Sequence, residues 1–167
     1  GKEVACEVLP GLMVRGTKNL TRQHLKDELD KNRARLSASG GVGSASFSIQ
    51  TRRDSLPEVL NLLQQVLREP SLPAGELDLI RNAQLTALEL QLSDPTSLAQ
   101  MAIQRKTNPY DVDDVRYVPT VKESMQRWKS VTIDDVGEIY LEFLGGTHGE
   151  IAVVGDFDPE SVTAQHN

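Results

Sequence analysis

The chain has 167 residues, 38 % hydrophobic and 25 % charged, enough for one sizeable core. Its net charge of −6 comes from 24 acidic against 18 scattered basic residues, and no basic patch with interleaved aromatics exists, which argues against nucleic acid as a partner. The single Cys6 excludes an internal disulfide and a four-thiolate metal site, and no apolar run is long enough for a helical membrane span.

In chain order, Ala5, Val8, Leu9, Leu12 and Met13 recur at helical spacing and predict a buried first helix, with Pro10 either kinking it or delaying its start. Gly16 and Thr17 end that element. A second helix is expected from Thr21 to Arg35 with Leu25 and Leu29 inward and a solvated charged face outward. Between Leu36 and Thr51 the period changes to two. Ala45, Phe47 and Ile49 alternate with serines, which predicts an antiparallel hairpin turning at Gly40-Gly41 with one face buried.

Ser55-Leu56-Pro57-Glu58 has capping-box spacing and opens a helix whose wide apolar stripe, Val59 to Leu67, suits it to lie on the sheet. Pro73 starts a long helix to about Ser93, carrying Leu77, Ile80, Leu85, Leu88 and Leu92. Asp94-Pro95 then begins a shorter one with Leu98, Met101 and Ala102, closed by Asn108-Pro109-Tyr110. The acidic loop from Asp111 to Pro119 lacks the glycine and terminal glutamate of a calcium loop. Thr120 and Thr132 cap two further helices, the second burying Val136, Ile139, Tyr140, Phe143 and Leu144 and stopping at Gly145-Gly146. A final strand, Glu150 to Phe157, is apolar enough for a central sheet position. The expected fold class is α+β, a mostly antiparallel sheet with helices packed on one face. Three strands make a poor sheet for so many helices, so the expectation is one incomplete domain over residues 1–167, its missing strands preceding Gly1, with 160–167 as a tail or the start of a next helix.

Several segments, in order, resemble the pitrilysin/insulinase family of zinc metallopeptidases. They are Leu12 to Lys18, the serine-rich hairpin, Leu67-Arg68-Glu69-Pro70, Asn108-Pro109-Tyr110, Asp114-Val115-Arg116-Tyr117 and Ala152 to Pro159. In that family the residues before the first segment read His-x-x-Glu-His, two zinc ligands and a general base. The corresponding positions here are Glu7, Val8, Leu9, Pro10 and Gly11, with both imidazoles and the base replaced. Glu89 falls near the position of the family's third ligand, and one carboxylate cannot hold catalytic zinc. No two of His24, His148 and His166 share a local helical face, and no nucleophile elbow or phosphate-binding loop is present.

The resemblance is to the third of four related domains in bacterial long-chain members. It implies a catalytically inert domain forming the chamber wall opposite the zinc domain of a metalloendopeptidase that degrades peptides. Zinc is then expected in the parent protein and not in this chain. Its expected partners are the other domains of that parent and the peptide substrate, with self-association of the isolated chain through an exposed sheet edge. The compartment, periplasm or cytoplasm, stays open. The rival expectation is a non-enzymatic assembly subunit of the same fold.

Overall fold

Helix α1 (Lys2–Met13) runs through the middle of the core. Its Val4, Ala5, Val8, Leu9, Leu12 and Met13 are all at most 5 % exposed, as their spacing predicts. The helix runs unbroken through Pro10 from Lys2, so it does not start late. The computed structural model of the chain describes residues 2–114, 116–144 and 149–157.

After α1 come α2 (Arg22–Lys31) and a hairpin of β1 (Arg35–Gly41) and β2 (Ser44–Gln50). α2 stops four residues before the expected end. The amides of Arg33 and Ala34 donate to the carbonyls of Asp30 and Leu29 (3.0 and 2.8 Å), Asn32 Nδ2 donates to Glu28 (2.9 Å), and Arg33 adopts φ +49°. This is a Schellman close with arginine in the left-handed position, and it turns the chain into β1. The strands pair from Arg35 with Gln50 to Gly41 with Ser44, so the turn is Val42-Gly43 and the Gly40-Gly41 doublet lies inside β1. Gly40 is needed there because α1 approaches closely: a Cβ at Gly40 would stand 2.6 Å from Pro10 Cγ and 2.9 Å from the Ser44 carbonyl oxygen. Phe47 and Ile49 are only half-buried and Ala45 is exposed, a shallower face than the alternation predicts.

A 3-10 turn (Arg53–Ser55) leads to α3 (Leu56–Arg68). Ser55 belongs to that turn and its side chain caps nothing, so the expected capping box does not form. α3 buries Val59, Leu62 and Val66, but the helix laid along the hairpin is α1. The pair α4 (Ala74–Leu92) and α5 (Pro95–Thr107) follows, with Asp94 capping α5 through the amides of Thr96 and Ser97. Only Leu77 and Leu88 of this pair are buried, which leaves Leu90 and Ile103 exposed. Helices α6 (Val121–Ser130) and α7 (Ile133–Phe143) open on the predicted capping boxes, Thr120 with Glu123 and Thr132 with Asp135. Val136, Ile139 and Trp128 complete the core.

The expected strand from Glu150 to Phe157 does not form. Those residues are irregular, with Ile151 67 % and Val154 97 % exposed. The one sheet among the described residues is the hairpin, and an apolar run becomes a strand only where a neighbour accepts its ladder bonds. Gly145-Gly146, His148, Val115, residues 158–167 and the Phe143 side chain lie outside what is described. The architecture is α+β: a helical layer, led by α1, on one face of an antiparallel pair.

Polar ties fix the layer. Thr17 bridges to Pro70, with Lys18 N–H donating to Glu69 (2.8 Å) and Ser71 N–H to Gly16 (3.1 Å). Thr17, nearly fully buried, accepts from the amides of Asn19 and Leu20 through Oγ1. Glu76 at the start of α4 receives Arg15 at 2.5 Å and Arg22 at 3.0 Å. Partial burial works against the Glu76 charge, but the hydrogen bonds from Arg15 and Arg22 outweigh it and hold the carboxyl below its usual range. Arg81 donates to the carbonyls of Trp128 (3.2 Å) and Val131 (2.6 Å) at the end of α6, and Tyr140 donates to those of Leu67 and Arg68 at the end of α3.

Two outcomes follow from these contacts. Gly40→Ala drives a methyl into Pro10 and the Ser44 carbonyl and costs about 1–3 kcal/mol in urea unfolding; an unchanged midpoint would refute the close seating of α1. Glu76→Gln costs about 1–2 kcal/mol at pH 7 by weakening charged hydrogen bonds. Because the folded carboxyl titrates below the unfolded one, near pH 4.3, its contribution is complete above that pH and lost as pH falls through the folded value. Thermal melts of wild type and Glu76→Gln therefore converge as the pH falls below the unfolded carboxyl's value; a gap that stays constant on acidification contradicts the assignment.

Candidate functional site

The positions that the resemblance aligns with a zinc motif, 7 to 11, all lie on α1. Helical spacing sets positions 7 and 11 one turn apart on the same side, away from the core stripe. Glu7 is exposed, although local desolvation raises its carboxyl above the ordinary range. Gly11 is half-exposed, and a Cβ there would meet nothing within 4 Å. Pro10 points the other way: it is fully buried, its ring against Gly40. Position 10 therefore serves the helix-to-hairpin seat.

Glu89 is exposed on α4, a helix that also touches α1. Among the described residues, no three His, Cys, Asp or Glu side chains converge into a group that could hold a metal ion. His24 is exposed on α2, and Cys6 is half-buried, its thiol pushed up by that burial. In the acidic loop Asp114 is committed to Arg116, whose Nε and Nη2 donate at 2.9 and 2.7 Å and hold the carboxyl at about 2. The Arg116 guanidinium lies 3.9 Å from the Tyr110 ring centroid, so this loop is stapled to itself.

Zinc needs about three N, O or S donors and an open position for water. A carboxylate, a buried pyrrolidine ring and a position with no side chain supply one donor, so the residues at 7, 10 and 11 do not fit the ion. Sequence reasoning found these positions but missed Gly40, whose doublet with Gly41 reads as a turn, and the Arg15, Arg22 and Glu76 cluster, whose members are far apart in the chain.

Comparison with known proteins supports the same frame. The family described as Insulinase (Peptidase family M16) matches residues 8–112, from within α1 to the loop after α5. A crystal structure of a peptidase M16 inactive domain from Pseudomonas fluorescens is similar in fold, with a TM-score of 0.65 at 16 % identity, covering 79 % of this chain and 32 % of that one. The chain thus spans about a third of that structure's length. No curated protein matches it. Because the family match runs over more than half of the 167 residues, the chain belongs to the insulinase family of peptidases, M16.

Proposed function

We propose that the chain is a catalytically inert M16 domain that forms part of the substrate-chamber wall in a longer zinc metalloendopeptidase, facing the domain that carries zinc. One observation carries the reading. The apolar stripe of α1 is intact and fully buried, while Glu7, Pro10 and Gly11 hold no zinc donor set. A helix kept for packing but emptied of ligands suits a partner domain, and the similar fold of a protein described as an inactive M16 domain supports it. The other domains of the parent chain would supply the zinc and, with this wall, enclose the peptide.

Metal analysis of the purified chain should give zinc well below one ion per molecule, and incubation with unstructured peptides should leave them intact. Stoichiometric zinc, or cleavage abolished by a chelator, would overturn the inert reading. A second outcome separates scaffold from site at position 11. Glycine inside a helix costs about 0.5–1 kcal/mol against alanine, and the space beside Gly11 is open. Gly11→Ala should therefore stabilise the chain by that amount in urea unfolding, whereas a loss of stability would mean the position is held for a contact the scaffold reading does not contain.

A further inference from the structure

The wet face of the hairpin and α2 together enclose an open cleft of about 440 Å³. Arg35 and Ser37 of β1 line it with Ser48 and Gln50 of β2, and α2 contributes Lys26 and Asp30. In the strand register Arg35 faces Gln50 and Ser37 faces Ser48, so these four side chains share one surface. All four can donate hydrogen bonds, and the serines are short enough to let a backbone lie close.

The charges that line the cleft do not cancel. Elsewhere α2 satisfies its own charged side chains: Arg22 pairs with Glu76, Lys31 with Glu28, and Asp27 accepts from Gln23. Lys26 and Arg35, which line the cleft, form no ion pair among the described residues. Two cations against the single carboxylate of Asp30 make this a locally positive concavity on a chain of net charge −6. Carboxylates are repelled by the chain's overall charge and drawn to this cleft.

We infer that the cleft between α2 and the polar face of the hairpin is a peptide-binding groove that takes a carboxylate-bearing segment, with Lys26 and Arg35 as the charge partners and Ser37, Ser48 and Gln50 as the hydrogen-bonding floor. This rests on the reading of the chain as a peptide-facing wall, and it names the class of peptide that the wall prefers.

The test is fluorescence anisotropy with labelled octapeptides in four forms: neutral with an amide terminus, neutral with a free carboxylate, glutamate-rich with an amide terminus, and lysine-rich with an amide terminus. The expected result is binding about tenfold tighter for a carboxylate-bearing form than for the neutral amide, weakening as salt rises. Whether the free terminus or the glutamates gain identifies the source. Lys26→Ala with Arg35→Ala should abolish the preference, and Asp30→Asn should strengthen it about threefold; all three residues are exposed, so folding is little affected. Equal binding of acidic and neutral forms, or a preference that survives the double substitution, would overturn the groove. Cleavage of a peptide in the same samples would overturn inertness instead, so the two readings fail separately.

Discussion

The structure depends on how closely α1 sits on the hairpin. A two-stranded sheet is marginal alone and needs a helix against one face, and here the approach is set by Pro10 resting where Gly40 has no Cβ. Proline in a helix interior costs about 3 kcal/mol against alanine, since it has no amide hydrogen to give the carbonyl four residues back. That carbonyl belongs to Cys6. The compact ring offsets part of the loss by filling a fully buried position without a mobile side chain. The position that would carry a general base in the family motif thus carries the packing contact, and both roles cannot be held by one residue.

Away from this seat the helices share one apolar core, and polar side chains add directed ties to it. Arg81 takes two carbonyls at the close of α6 and Tyr140 takes two at the close of α3, groups that otherwise would have no partner inside their helices. Arg15 and Arg22 converge on Glu76 and hold the segment after α1 to the start of α4. Each tie is worth little beside the apolar core, yet each has a direction, and direction is what apolar burial lacks. The pair α4 and α5 shows what happens with less burial: Asp94 caps α5, yet Leu90 and Ile103 stay exposed.

Where the sequence was legible, the determining physics was local. The stripe of α1 and the boxes at Thr120 and Thr132 depend on residues within a few positions, and they form as expected. The misreadings, the unformed box at Ser55 apart, have a different cause. Gly40-Gly41 looks like a turn until α1 is in place, and Arg33 gives no sign that it will take the left-handed position that closes α2. The run from Glu150 to Phe157 has the composition of a buried strand, but a strand is a property of two segments and composition describes only one. The motif positions on α1 were legible as identities. What they do, with Pro10 inward and Glu7 and Gly11 outward, was not.

That last difference explains how this fold stands without a zinc donor set on α1. Ligands spaced i and i+4 project from one side of a helix, and the residues that bury it project from the other. Positions 7 and 11 can therefore change with almost no consequence for Val4, Val8, Leu9, Leu12 or Met13, and the core loses nothing when imidazoles are absent. Position 10 is different because here it faces the hairpin, so its side chain must match the shape of β1. Once a proline and a glycine have been fitted to each other across that contact, returning a longer acidic side chain to position 10 means refitting β1 as well. On the proposed reading, packing at position 10, as well as the absence of ligands at 7 and 11, keeps the domain inert.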